Sequence, residues 1–277
     1  MNRRGLLLLS LFFIGGCTCG QIPQAGPVEN VAVARNRKPP IPAKKSVAEK
    51  KKPLELPAVS NKDDIVEHLG YVASYNHEWL IPNWVAYELT SEELDGNTKG
   101  EESFQWDPSL QGDQAWREDY SGSGWDKGHM IPRADLKWSA TAYSESFYFS
   151  NICPQNHDLN AGAWLSTEKM ARRIAKQYGS VYVVCGPLVF DNKYGTIGKH
   201  KVIVPDAFFK AFLICDDGEY SAIGIIMLNS SEKQVLKECT MCVDDIEAKS
   251  GLDLFSSLDK TIQEDVESRI DWSKWGI

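Results

Sequence analysis

Histidine is scarce in this chain: five occur in 277 residues, so each can be asked individually what it does. Several chemistries defined by short patterns are missing altogether. No G-x-S-x-G elbow surrounds Ser139, Ser144 or Ser150, which leaves a serine hydrolase without support. No Walker or dinucleotide glycine pattern occurs either, so the common nucleotide-cradling loops are excluded. Cysteine is odd in number, at seven, and an odd set argues against a full disulfide framework. Cys239 and Cys242 make a single CxxC with no second pair and no histidine nearby, so zinc is not expected and a local disulfide or two free thiols is. Cys185 and Cys215 lie in apolar, strand-like runs and read as buried thiols.

What is present begins with a leader. Arg3 and Arg4 precede the apolar run "LLLLSLFFI", which is too short to span a bilayer as a mature helix, and residues 1–16 read as a secretion signal. The sequence "FIGGC" ending on Cys17 resembles a lipobox, which implies export to a bacterial cell envelope, periplasm or surface, with membrane attachment through lipidated Cys17. The charge divides unevenly. Residues 1–53 carry ten lysines and arginines against two acids, whereas residues 54–277 carry 20 against 36, a net of −16. An acidic body is an awkward partner for a polyanion, because neutralisation of phosphates by Lys and Arg normally supplies much of nucleic-acid affinity.

Residues 17–60 form a Pro- and Lys-rich stretch, with seven of the 13 prolines between Thr18 and Pro57. Such a composition buries too little apolar surface to fold and is expected to be a disordered linker. From residue 61 to Ile277 the pattern is globular, with 43% hydrophobic residues over the whole chain, no repeats and no second linker, so one domain is expected. Strands are predicted at "YVASY", "NWVAYEL", "SFYFSN", "VYVVCGPLVF", "KVIV", "FFKAFLIC" and "SAIGIIML". One helix is predicted from about Asn160 to Tyr178, stopped by Gly179, and another over "VDDIEAKSG", closed by Gly251.

The chemistry concentrates in "DYSGSGWDKGHM", where Gly122, Gly124 and Gly128 allow sharp turns around Asp126, Lys127 and His129. Downstream, "SNICPQNHDLNAGAWLSTEKMARR" supplies Asn151, Asn160 and Glu168. On a regular helix Asn160 and Glu168 would be about 80° and about 12 Å apart. That separation suits a hydrated hard cation, which takes one or two protein oxygens and keeps several waters.

These segments, together with "VYVVCGPL", "PNWVAYELT" and "VDDIEAKSGLDLF", resemble the DNA/RNA non-specific endonuclease family, the ββα-metal nucleases, over roughly Tyr71 to Trp275. The resemblance implies an α+β fold, a mixed or antiparallel central sheet flanked by helices, with a ββα-metal finger as active site. It also implies that His129 is the general base, Asn160 the protein ligand of a single Mg²⁺ (or Mn²⁺), Glu168 the holder of its water shell and Asn151 an orienting residue. DNA and RNA would be the substrates, cut with little sequence preference to 5′-phosphate products. His157 is a lesser candidate for touching substrate, and His68, His77 and His200 are expected at the surface or in packing.

The chain departs from the family in one motif position: Lys127 stands where arginine is usual. Lysine keeps the charge and loses the planar two-point fork. A second arginine found upstream in some relatives has no clear counterpart, and Arg133, Lys137 and Arg172 are candidate substitutes. These departures and the acidic body leave an alternative, a catalytically weakened nuclease-like surface domain acting as a binding module. The sequence does not fix whether the chain forms a homodimer.

Overall fold

A computed structural model describes residues 53–60 and 64–277. The leader, Cys17 and the linker up to residue 52 lie outside the described residues. Residues 53–60, expected to continue the linker, do not. Leu54 and Leu56 pack on the core, and the Ala58 N–H donates to the Asp253 carbonyl at 2.8 Å. The folded unit therefore starts before residue 61, because two leucines find apolar surface to cover.

In chain order the strands are β1 (Asp64–Glu67), β2 (Val72–Asn76), β3 (Ile81–Thr90), β4 (Asp126–His129), β5 (Ile152–Gln155), β6 (Ser180–Leu188), β7 (Thr196–Ile197), β8 (Val202–Ile203), β9 (Ala207–Asp216), β10 (Glu219–Leu228) and β11 (Thr240–Met241). The α-helices are α1 (Ala140–Glu145), α2 (Leu165–Tyr178), α3 (Val243–Ser250) and α4 (Lys260–Glu267). One sheet runs β1-β2-β3-β6-β9-β10-β11, antiparallel at every pairing. The class is α+β with an antiparallel central sheet.

The sheet is covered on both faces, and β9 shows why. Its side chains alternate, as any strand's do: Phe208, Phe212 and Ile214 join one buried cluster with Met170, Ala171 and Ile174 of α2. Phe209, Ala211 and Leu213 join the other with Val243 and Ile246 of α3 and Val266 of α4. Each fully buried phenylalanine contributes about 1.5–3 kcal/mol through apolar burial. A strand sandwiched in this way reads as an unbroken apolar run, interrupted in β9 by Lys210.

Two expectations change. The segment "SFYFSN" does not form a strand; Phe149–Asn151 make a 3₁₀ turn whose residues are all buried. The long helix does not begin as an α-helix at Asn160. Leu159–Trp164 form a wider π-turn before α2 takes over at Leu165, so the regular-helix angle between Asn160 and Glu168 does not apply. Insertions of this kind often mark functional sites.

Candidate active site

A two-stranded finger, β4 against β5, carries the histidine segment and sits apart from the main sheet. Gly122 and Gly124 have φ of 69° and 82°, a region open to glycine at little cost, and they turn the chain into β4. Gly128 opposes Cys153, and a Cβ there would lie 2.2 Å from Gln155 Oε1 and 2.6 Å from Gln155 Cβ. No side chain fits between His129 and Lys127. The finger is pinned to the far end of the sheet by buried Asn229, whose Oδ1 accepts from Asn156 N–H at 2.7 Å and whose Nδ2 donates to the Pro154 and Pro205 carbonyls.

Asn151 holds the chain just beyond the histidine. Its Oδ1 accepts from Ile131 N–H at 2.9 Å, its Nδ2 donates to the carbonyls of Ile131 and Ser146 at 3.0 and 2.8 Å, and its own carbonyl accepts from Met130 N–H. It is fully buried and does not line the cavity that the other four sequence-predicted residues share.

That cavity, of about 520 Å³, is lined by Lys127, His129, Asn160 and Glu168, together with Glu102, Phe104, Arg133, Phe147 and Arg172. The His129 ring stands edge-on to Phe147 at 5.2 Å and tilted to Phe104 at 5.6 Å, with Nε2 shut off from solvent and without a hydrogen-bond partner. Burial among these rings, helped by the Arg133 charge, pushes its pKa down to about 4. Its carbonyl accepts from Trp164 Nε1 at 3.2 Å, which ties the finger to the start of the helix.

Asn160 donates from Nδ2 to Asp126 Oδ2 at 2.9 Å, and His157 Nδ1 lies 2.9 Å from the same oxygen. A carboxylate beside the amide nitrogen fixes which end is oxygen and leaves Oδ1 unclaimed. His157 is exposed, and its pKa is raised by the hydrogen bond and charge of Asp126.

Glu168 is 8% exposed. Burial raises its pKa, against the charges of Lys210 and Arg172. Arg172 is bound to Asp135 at 2.5 Å and reaches Glu168 at 3.9 Å, and burial pushes Asp135 up to about 7 despite that partner. Lys210 is fully buried beneath this group, its Nζ 4.1 Å from the Trp164 ring centroid and without a hydrogen-bond partner among the described residues. Oxygen donors from Asn160 and Glu168 in one cavity match what a hard cation takes.

Of the substitute cations, Arg133 and Arg172 reach the cavity and Lys137 is not in its lining. The remaining histidines pair with acids away from it: His68 with Asp107 at 2.7 Å, His77 with Asp64 at 2.7 Å and His200 with Asp119 at 2.8 Å. All five cysteines of the described residues are free thiols. Sequence reasoning missed Phe104, Phe147, Asn229 and Lys210. Only Lys210 carried a signal, a lone charge inside an apolar strand, since lysine is almost never fully buried unless paired.

The model of the DNA/RNA non-specific endonuclease family matches residues 56–261. The mitochondrial nuclease EXOG of Danio rerio is 36% identical over 70% of this chain, which spans 61% of that relative's length. Human mitochondrial endonuclease G is 34% identical over 66% of each chain, and nuclease C1 of Cunninghamella echinulata is 33% identical over 71% of this chain and 84% of its own. A crystal structure of the EndoG/EndoGI complex superposes with a TM-score of 0.68 at 28% identity, covering 75% of this chain and 90% of that one. Relatives named as mitochondrial overturn the expectation of a lipid-anchored protein at a bacterial envelope. The physical reason lies in the leader: its first 28 residues hold no acid, a property that secretion signals share with mitochondrial targeting segments.

Proposed function

Since the chain belongs to the DNA/RNA non-specific endonuclease family, we propose that it hydrolyses internal phosphodiester bonds of DNA and RNA, with His129 as general base and a single Mg²⁺ held by Asn160. The observation that carries this reading is the Asp126–Asn160 hydrogen bond, which commits the amide nitrogen and frees Oδ1 in the cavity that also holds His129 and Glu168. Members of the family are metal-dependent nucleases. When bound, the cation supplies Lewis-acid polarisation of a phosphate oxygen and stabilises the leaving 3′ oxygen, and the residues that would hold it are Asn160 and, beside it, Glu168.

The remaining work falls to the chain. With its pKa near 4, His129 is neutral throughout the physiological range and free to accept the proton of an attacking water. A phosphate anion entering the cavity raises the basicity of the ring by charge attraction at the moment it is needed. Lys127 and Arg133 offset the growing negative charge on the pentacovalent phosphorus. Asn151 prevents the main chain behind His129 from shifting. Because these groups address backbone phosphate, little base preference follows, with 5′-phosphate and 3′-hydroxyl products.

Plasmid nicking and RNA degradation, each with Mg²⁺ and with EDTA, test the reading. Metal-dependent cleavage should vanish in His129→Ala and return in part for Asn160→Ala at high metal. Cleavage undiminished in His129→Ala, or an unchanged metal requirement in Asn160→Ala, overturns it.

A further inference from the structure

Beside the cavity lies an aromatic surface that the proposed chemistry leaves unused. Trp106 is 53% exposed, a large apolar ring left facing water. It packs tilted against Trp116, with centroids 5.0 Å apart and planes at 60°, and the Arg117 guanidinium stands 5.5 Å from the Trp116 ring.

Two chain segments connect this pair to the catalytic cavity. Gln105 N–H donates to the Phe147 carbonyl and its own carbonyl accepts from Phe149 N–H, so residues 104–106 are extended. In an extended segment alternate side chains share a side about 7 Å apart, which sets Trp106 one step along from the cavity-lining Phe104. The second segment is the 3₁₀ turn Arg117–Tyr120, which begins next to Trp116 and ends at Tyr120. Lys127 Nζ lies between the two segments, 5.3 Å from the Phe104 ring and 5.5 Å from the Tyr120 ring.

We propose that Trp106 and Trp116 form a stacking subsite for an unpaired base of single-stranded nucleic acid, one nucleotide or so from the phosphate held at Lys127 and His129. It rests on the nuclease reading above and adds a substrate preference to it. The spacing of about 7 Å between Phe104 and Trp106 is close to one extended nucleotide step, and stacking on an aromatic face tolerates any base. A base inside a duplex is already stacked on its neighbours and has no face to offer. Arg117, exposed and paired with the equally exposed Glu118, supplies a charge beside the two rings for the strand's backbone.

Equilibrium binding of the full chain to a fluorescent dT12 strand and to the same strand with abasic sites throughout, both in EDTA so that no cleavage intervenes, tests the subsite. Wild type should bind dT12 about tenfold more tightly than the abasic strand. Trp106→Ala should erase that difference, and Trp106→Phe should restore much of it. Equal dT12 affinities for wild type and Trp106→Ala, equal loss on both strands, or no binding of dT12 overturns the proposal. Failure of the nuclease reading is read separately, as absence of Mg²⁺-dependent cleavage by wild type.

Discussion

Protonating His129 is the perturbation that the surroundings of the ring oppose most directly. The ring is walled by Phe104 and Phe147, has no partner at Nε2 and faces the positive charge of Arg133, and its pKa falls from 6.5 to about 4. At pH 5.5 an unperturbed imidazole would be about 10% neutral, whereas one with a pKa near 4 is about 97% neutral. A titration of the histidine ring protons by NMR, with the His129 signal assigned by its loss in His129→Asn, should show that ring unprotonated down to about pH 5. Opening one wall with Phe104→Ala should move the midpoint back toward 6.5. Linkage gives the sign for stability: the folded pKa is depressed, so the contribution is present above pH 6.5 and lost as pH falls through 4, on the order of 3 kcal/mol in all. A His129 midpoint at 6 or above in the wild type refutes the reasoning, because neither the aromatic walls nor Arg133 would then be acting on the ring.

Asp126→Ala removes the acceptor that orients Asn160 and should raise the Mg²⁺ needed for half-maximal cleavage about 10–100-fold, as loss of a ligand's supporting partner does; an unchanged metal titration would mean that Asp126 does not orient the amide. Asn151→Ala leaves the Ile131 N–H and two carbonyls unpaired in the interior and should cost about 2–4 kcal/mol in denaturant unfolding, with a loss under 1 kcal/mol counting against the clamp. Burial, and then the neighbouring Glu247, pushes Glu267 up to about 8. The folded state therefore keeps a proton that the unfolded state loses, and stability falls as pH rises from about 4.5 to 8, by about 2 kcal/mol after allowing for solvent screening. Glu267→Gln should flatten that decline in thermal melts, and a slope identical to wild type would show that Glu267 is not its source.

The large strands were legible because burial on both faces writes itself as an apolar run: "FFKAFLIC" and "SAIGIIML" became β9 and β10. The finger strands were not. "DKGH" and "ICPQ" are four residues each, and one contains glycine and the other proline, residues that local propensity reads as breaks. Their pairing is decided by Asn229 and Asn151 holding them from outside. "SFYFSN" misled for the converse reason, since Phe147 and Phe149 are aromatic to fill the space around His129 and Tyr120, not to pave a sheet. At the site, His129, Asn160 and Glu168 could be found because they are bound to an ordered motif. Phe104 and Glu102 come from a distant irregular segment, where nothing in the local pattern indicates which residues will meet the cavity.

Lys127 and the acidic body, the two features that weakened the nuclease reading in sequence, lose much of their weight in three dimensions. Phosphate in the cavity responds to charges within about one Debye length, roughly 8–10 Å, and there Lys127, Arg133, Arg172 and the buried Lys210 stand against Glu102, Glu168, Asp126 and Asp135, a local balance near zero. Arg133 is held by Glu102 through a half-exposed pair at 3.0 Å, worth about 0–1 kcal/mol, so a phosphate can take Arg133 over at little cost. The net of −16 over residues 54–277 then acts on the rate of encounter at low salt more than on grip once bound. The ammonium of Lys127 lies near two ring faces, Phe104 and Tyr120, and a ring quadrupole holds a compact cation without the directed hydrogen bonds that an arginine fork would need. Replacing arginine by lysine therefore gives up bidentate phosphate geometry, while these rings help keep the positive charge beside the cavity.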